Sequence, residues 1–376
     1  MRLPPFQLER YFARHEFAVR HLLCASDCAS MTVRDLLALE PGSAHRLLEL
    51  WLGYTESQGS PPLRRELCRL YETIGPEDLL VHSGAEEAIY LFMQAVLEPG
   101  DHVVVHWPCY QSLVELPAAL GCEVSRWEAR EKDGWTLDPD ELRRLLRPRT
   151  RLLVLNIPHN PTGYLMPRHA FQEINDLVRE RGILLFSDEV YRELEHDPGH
   201  RLPAACDLGD HAVSLGVMSK AYGLAGLRIG WVATRNRPVL ERMAALKDYT
   251  TICNSAPSEF LAEVALRHRE AIVARNLAII VHNMGLFDAF VERHAHRFAW
   301  RRPTAGPIAF PRLLAGDTDA FCRELEAQAG VLLLPGSVFA VPGPHFRMGF
   351  GRADFAEGLE RLEAFVGAGG RGTVPA

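Results

Sequence analysis

The chain has 376 residues, 47% hydrophobic and 24% charged, with a formal net charge of −7. That composition reads as globular, and the length calls for two or three packed units. No apolar run is long enough to span a bilayer, no run of one charge sign points to nucleic acid or an anionic membrane, and residues 1–10 lack the apolar core of a secretory signal.

Taken in chain order, apolar strand-like runs alternate with amphipathic helices from about Leu79 to Thr234. Strands are predicted at Leu79–Val81, His102–His106, Arg151–Ile157, Ile183–Ser187, Ala212–Met218 and Leu227–Ala233. They are short and show little polar alternation, which is how parallel strands covered on both faces read. Helices intervene, as at Arg168–Arg181 before Gly182. The pattern predicts an α/β, three-layer large domain with a mostly parallel sheet. Pro257–His268 and Arg269–His296 read as helices, the second long enough to connect two units. Beyond it come an interrupted strand pattern over Phe298–Leu313, a helix at Thr318–Gln328, strands at Val331–Leu334 and His345–Phe350, and a last helix at Phe355–Val366. This is a smaller α+β domain. The expected division is an N-terminal segment 1–45 packing with the small domain, a large domain 46–285 and a small domain 286–376. The tail Gly367–Ala376 is expected to fray.

The eight cysteines are scattered without a Cys-x-x-Cys pair, and Cys24 and Cys28 have no histidine at zinc-ligand spacing. Free thiols in a reducing cytosol, and no metal, are the expectation. His294 and His296 read as part of a solvated helix end.

Lys220 closes an apolar strand and enters Ala221-Tyr222-Gly223-Leu224-Ala225-Gly226-Leu227-Arg228. A lysine in that position is either a snorkelling surface residue or a Schiff-base former that carries pyridoxal phosphate (PLP). Ser83-Gly84-Ala85-Glu86 opens a helix after a strand; it is either a phosphate site at the helix N-terminus or a plain cap, with Ser83 and Glu86 forming a capping box. Asn160-Pro161-Thr162-Gly163 is turn chemistry, but at the carboxyl end of a parallel strand, where open α/β sheets bind ligands. Asp188 ends the next strand, where a buried carboxylate calls for a cationic partner such as a protonated pyridine nitrogen. Tyr191 follows three residues on, within range of a ring oxygen. Arg228 suits a phosphate, and Arg347, one charge in a strand of small and apolar residues, suits a substrate α-carboxylate.

The ordered set Gly84-Ala85, Tyr110, Asn160-Pro161-Thr162-Gly163, Asp188 with Tyr191, Ser219-Lys220, Arg228 and Arg347 resembles the class I/II aminotransferases of PLP fold type I, over nearly the whole chain. The resemblance implies a PLP-dependent aminotransferase acting on an L-amino acid and a 2-oxo acid, in the cytoplasm. Lys220 would be the Schiff-base lysine and proton carrier. Asp188 would meet the pyridine nitrogen, Asn160 and Tyr191 the ring oxygen, and Tyr110 the ring face. Gly84, Ala85, Ser219 and Arg228, with Glu86 in the same turn, would form the phosphate end, and Arg347 would hold the substrate carboxylate. Gly53-Tyr54 resembles the segment that delivers a tyrosine to the neighbouring subunit's phosphate, which implies a homodimer with shared sites.

The sequence departs from the family at Val217, where many members have a phosphate-binding serine three residues before the lysine. A second arginine for a side-chain carboxylate is not identifiable, which disfavours aspartate as substrate. The N-terminal segment sets Glu9, His21, Ser26 and Asp27 among Phe12, Phe17, Leu22 and Leu23. Glu9 and Asp27 either solvate and cap a helix or meet a cationic substrate side chain. The chain also resembles the capreomycidine synthase and enduracididine cyclase branch of the fold, through the element starting at His159 and the run Ser219–Arg228. That resemblance implies an alternative, elimination and ring closure on an arginine-like amino acid, and puts His159 among the substrate-side residues. A regulator built on a degenerate form of this fold would need a DNA-binding domain, for which too few residues precede Tyr54.

Overall fold

The structure, a computed structural model, describes residues 2–369. Most of the tail expected to fray lies outside the described residues. At its centre is a seven-stranded sheet. Its strands are β1 (Leu79–His82), β2 (His102–Trp107), β3 (Glu123–Glu128), β4 (Thr150–Asn156), β5 (Leu184–Asp188), β6 (Ala212–Val217) and β7 (Gly230–Ala233), and their order is β1-β7-β6-β5-β4-β2-β3. All neighbours are parallel except β7, which runs antiparallel to both β1 and β6. The carboxyl ends of β1, β2, β4, β5 and β6 therefore share one edge of the sheet with the start of β7.

Six of the seven strands follow the hydrophobic runs of the sequence. β1, β2, β5, β6 and β7 are buried at every residue, and β4 at every residue but Arg151. Two expectations need correction. The strand expected from Leu227 starts only at Gly230: Ala225–Leu227 is a 3-10 turn and Arg228 has left-handed backbone, φ 53°. β3 was not foreseen. As an edge strand with only Trp127 fully buried, its sequence Glu-Val-Ser-Arg-Trp-Glu carries little apolar signal.

Helices cover both faces. Ala85–Val96 packs its apolar face on Leu80, Phe186, Leu215 and Val232. Arg168–Glu180 buries Phe171, Ile174 and Val178 against Leu153, Leu155 and Leu185. The 25-residue helix Arg269–Arg293 leads to the C-terminal unit. There, strand Phe346–Gly349 lies between Ile308–Ala309 and Leu334–Pro335, with helices Thr318–Ala329 and Phe355–Gly367 beside it.

The N-terminal segment is woven into this second unit. His21–Leu22 pairs in parallel with Val331–Leu332. Gly349 N donates to Leu23 O at 2.7 Å, and Ala29 N to Gly351 O at 2.7 Å. The approach is so close that a Cβ on Gly349 would lie 1.9 Å from Ala25 O. Residues 23–29 are thereby fixed alongside the strand that carries Arg347. Among the described residues, no helix is long and apolar enough to cross a membrane.

Candidate active site

Where the sheet edge faces the N-terminal segment there is a cleft of about 630 Å³, in the range of small-molecule sites. Its sheet side is built from strand ends. Asn156 and Asp188 are the last residues of β4 and β5 and stand opposite each other in register. Asn156 Nδ2 donates to Asp188 O at 3.1 Å, and its Oδ1 accepts from Asn160 N at 2.7 Å, so the turn bearing Asn160 is pinned to the strand bearing Asp188. Lys220 follows the end of β6, and Tyr110 the end of β2.

Asp188 is buried with one backbone partner, Val190 N at 3.2 Å. Burial pushes its carboxyl up to about 7, so an adjacent cation has a large effect on its charge. Lys220 Nζ donates to Ser26 Oγ at 2.9 Å. Burial holds its ammonium below the ordinary lysine range, favouring the neutral amine.

The phosphate end is a crossing of backbones. A Cβ on Gly230 would lie 2.6 Å from Gly84 C, and one on Gly84 would meet Arg228 Nη2 at 2.5 Å. Gly84 also has φ 87°, so glycine is required there on two counts. The Arg228 guanidinium thus lies over the N-terminus of helix Ala85–Val96, a cradle for an anion. Ser219 and Ala85 complete this end of the cleft. The alternative capping box is not formed: Ser83 N donates to Glu87 at 2.6 Å, while Glu86 turns to Ser112 Oγ at 3.1 Å. Glu86 lines the cleft, and burial raises its carboxyl to about 7.

On the opposite wall Arg347 is 1% exposed. Its Nε donates to Cys24 O at 3.0 Å and its Nη1 to Asn160 Oδ1 at 3.2 Å. The rings of Phe12 and Phe339 flank it at 5.8 and 5.5 Å. Its Nη2 has no partner among the described residues. An orphaned donor on a buried charge costs several kcal/mol unless an anion satisfies it, roughly 1–3 kcal/mol or more. The Tyr191 hydroxyl is likewise buried and unpartnered, with Ser26 beside it but outside hydrogen-bond geometry.

The N-terminal segment supplies the lip. Glu9 is exposed at the mouth and accepts from Tyr110 Oη at 2.8 Å. Asp27 is half-buried and paired with Arg352 at 3.0 Å. Three cleft residues were not singled out from sequence. Glu16, whose carboxyl is raised by burial and by Asp27, lines the cleft. Arg352 also lines the cleft, where it is engaged by Asp27. Asn156 sat unremarked at its strand end.

Two further predicted residues lie elsewhere. His159 does not face the cleft: it is fully buried, with Nδ1 2.7 Å from Thr162 Oγ1 and Nε2 2.6 Å from Pro108 O. A substrate-side role for it is therefore withdrawn. Tyr54 is 83% exposed and outside this chain's cleft. All eight cysteines are free, and no group of three or more metal-ligating side chains is found among the described residues.

An aldehyde-bearing pyridine phosphate fits these demands. An amine stands at one point, a buried carboxylate at another, unsatisfied donors line the same cleft, and an anion cradle closes one end. The comparisons agree. The model of the family "Aminotransferase class I and II" matches residues 22–362. Capreomycidine synthase of Streptomyces vinaceus is 32% identical over 98% of this chain and 96% of its own. Among solved structures, a PLP-dependent aminotransferase from Streptococcus suis is 33% identical, with a TM-score of 0.92 over 98% of this chain and 99% of its own. The PLP-dependent cyclase OrfR is 30% identical, with a TM-score of 0.90 over 98% of each chain. With the site geometry, these matches make the chain a member of the class I and II aminotransferase family, a fold type I enzyme whose cofactor is PLP.

Proposed function

We propose that this enzyme moves the α-amino group of an L-amino acid with a cationic side chain to a 2-oxo acid. The observation that carries the substrate class is the charge balance of the cleft. Five carboxylates line it (Glu9, Glu16, Asp27, Glu86 and Asp188) against Lys220, Arg228, Arg347 and Arg352. Asp188, Lys220 and Arg228 serve the cofactor, and Arg347 the substrate α-carboxylate. Glu9, Glu16, Asp27 and Glu86 then face Arg352 alone. A surplus of half-buried and exposed carboxyl groups, two of them raised by burial, favours a cation in the cleft.

When bound, PLP supplies an electron-withdrawing ring that stabilises charge developing at the substrate α-carbon. Asp188 would hold the ring nitrogen, and Tyr191 and Asn160 the ring oxygen. Tyr110 would cover one ring face; Gly84, Ala85, Ser219 and Arg228 would hold the phosphate. Arg347 would orient the substrate through its unpartnered Nη2, fixing which α-bond faces Lys220. Lys220 Nζ, whose ammonium burial holds below the ordinary lysine range, takes the α-proton and returns it one position away. Ser26 Oγ, its partner at 2.9 Å, holds the amine between these tasks. Phe12 and the helix Gln7–His15 shield the cleft from water.

A second reading is favoured by the whole-length similarity to capreomycidine synthase and OrfR. In it, the same residues remove the α-proton, and a leaving group on the substrate side chain departs before ring closure. One panel separates the readings. The purified enzyme receives L-arginine, L-lysine, L-leucine, L-glutamate and a hydroxylated arginine with a 2-oxo acid acceptor, and 2-oxo acid product is measured. The expected result is a kcat/KM for cationic donors about 10²-fold above that for leucine. Preference for leucine or glutamate would overturn the cationic class. A cyclic product from hydroxyarginine without 2-oxo acid would establish the second reading.

The proposed assembly is a homodimer in which Tyr54 reaches the neighbouring site. Leu48, Trp51, Leu52 and Tyr54 are exposed, as are Tyr249 and Ile252. Bonds from Thr55 Oγ1 to Asn254 O and from Lys247 Nζ to Ser57 O bring the two groups together on one apolar surface. Sedimentation of a Trp51→Glu variant should show a monomer; a dimer of unchanged affinity would refute the assignment. In the proposed division, residues 46–285 form the cofactor wall, and 1–45 with 286–376 the substrate wall. Eight free thiols fit a cytoplasmic enzyme.

A further inference from the structure

His159 is a predicted site residue that the reaction above does not use, yet it ties together two loops whose residues it does use. Tyr110 and Asn160 come from loops after β2 and β4, neighbours in the sheet. Pro108, two residues before Tyr110, offers its carbonyl oxygen to His159 Nε2 at 2.6 Å. A carbonyl only accepts, so Nε2 carries the proton and donates. Nδ1 is then an acceptor, and the Thr162 hydroxyl donates to it at 2.7 Å. Thr162 Oγ1 in turn accepts from Tyr164 N at 3.2 Å. The turn is closed on itself by Gly163 N to His159 O at 2.8 Å and His159 N to Tyr164 O at 3.0 Å.

The ring cannot easily turn away from these partners. His106, on β2, stacks on it at 3.8 Å with planes 16° apart, and both rings are buried. Burial holds His159 far below the ordinary histidine range, at about 3, so it stays neutral and keeps this one tautomer. A single imidazole thus ties the Tyr110 loop to the Asn160 turn, and Asn160 also touches Arg347.

We propose that His159 is a positioning residue that fixes the spacing between Tyr110 and Asn160, and with it the attitude of the cofactor ring held between them. The inference rests on Tyr110 and Asn160 being cofactor contacts. Displacing a reacting group by about 1 Å costs on the order of 10² in rate, so the effect falls on kcat.

The test uses holoenzyme saturated with PLP. His159→Leu should lower kcat about 10²-fold with a donor KM within about threefold of wild type. It should also change the visible circular dichroism per bound cofactor, a readout of ring asymmetry that a loss of stability alone does not move. His159→Gln, whose amide can still donate toward Pro108, should restore most of both. Thr162→Val removes only the hydroxyl, and carries the test if His159→Leu does not accumulate; it should show the same dichroism change at smaller amplitude. Unchanged dichroism and unchanged kcat per bound cofactor in the variants, with only a lower Tm, would overturn the proposal. Asn160→Ala is the control. If it leaves the dichroism unchanged, the cofactor contact itself is wrong; if it alters the dichroism and Thr162→Val and His159→Leu do not, only the clamp fails.

Discussion

The two walls of the cleft are built by different means. The cofactor wall is the edge of a sheet: Asn156, Asp188 and Lys220 stand at or just past the ends of β4, β5 and β6, held by ladders of backbone hydrogen bonds. The substrate wall is assembled from chain segments far apart, with Ser26 and Asp27 lying beside Arg347 and Arg352. One wall is rigid because its residues terminate buried strands. The other is held by a few backbone bonds, ion pairs such as Asp27–Arg352 and Arg20–Glu357, and the helix Gln7–His15. In the proposed reading, the cofactor chemistry sits on the first wall and selectivity on the second.

The largest effect should come from the cofactor wall. Lys220→Ala removes the amine proposed to bind the cofactor and move the proton, and should lower turnover by about 10⁴-fold or more. Exogenous methylamine should restore a small part of it. Turnover within tenfold of wild type would mean that another group moves the proton.

Arg347 tests the other wall where it is most like the first. Arg347→Leu removes a buried cation that supports Cys24 O and Asn160 Oδ1 and is proposed to anchor the substrate. Losing one partner of a buried charge pair costs about 2–5 kcal/mol, so donor KM should rise on the order of 10²-fold. Tm should also fall, because two acceptors lose their donor. A raised KM for neutral and cationic donors alike fits an α-carboxylate role; a rise for one class only would move Arg347 to the side chain.

The sequence exposes the two walls unequally, and the reason is physical. Strand-end residues announce themselves, because a polar group after a run such as Arg151–Ile157 or Ala212–Met218 has little reason to be there unless it binds something. Asp188, Asn160 and Lys220 were legible on that basis. Asn156 had the same signal, one residue inside its run, and was overlooked. Glu16 and Arg352 carry no such mark: each sits among charged residues, Glu16 just past a surface helix and Arg352 in a loop, and only the pairing of residues 21–29 with 331–332 and 349–351 turns them inward. His159 was misplaced for a different reason. The resemblance to the cyclase branch carried it over with its motif, but the turn buries the imidazole between Pro108 O, Thr162 and the His106 ring. β3 was missed because an edge strand needs little hydrophobic pattern.

Selectivity should shift by about tenfold when the lip is neutralised. Glu16→Gln and Asp27→Asn each remove one carboxylate from a half-exposed site, worth roughly 1 kcal/mol against a cation. kcat/KM for arginine should fall while that for leucine stays or rises. The pH profile sharpens the point. Burial and Asp27 raise the Glu16 carboxyl above the ordinary range, so its charge, and the advantage of a cationic donor, should be lost as pH falls through that raised value. Glu16→Gln should flatten this acidic limb for arginine and leave the leucine profile unchanged. Equal losses for both donors would assign Glu16 to the cofactor wall.

The last effect is one of stability, and it asks whether Asp188 belongs to the cofactor. Its carboxyl is raised to about 7 by burial, against about 4 in an unfolded chain. In enzyme stripped of cofactor, the protonated form favours the fold. That contribution is fully present below about pH 4 and is lost as pH rises through about 7, a swing of order 4 kcal/mol at most. The cofactor brings a positive ring nitrogen to the carboxylate and should oppose the loss. The gain in Tm on adding PLP should therefore grow between about pH 5 and 8, by several degrees. Asp188→Asn stays neutral throughout, so its stripped form should lack this component of the pH dependence, and its gain from PLP should vary less. Identical pH slopes for wild type and Asp188→Asn, with and without PLP, would remove Asp188 from the cofactor wall and leave it a buried acid of the sheet edge.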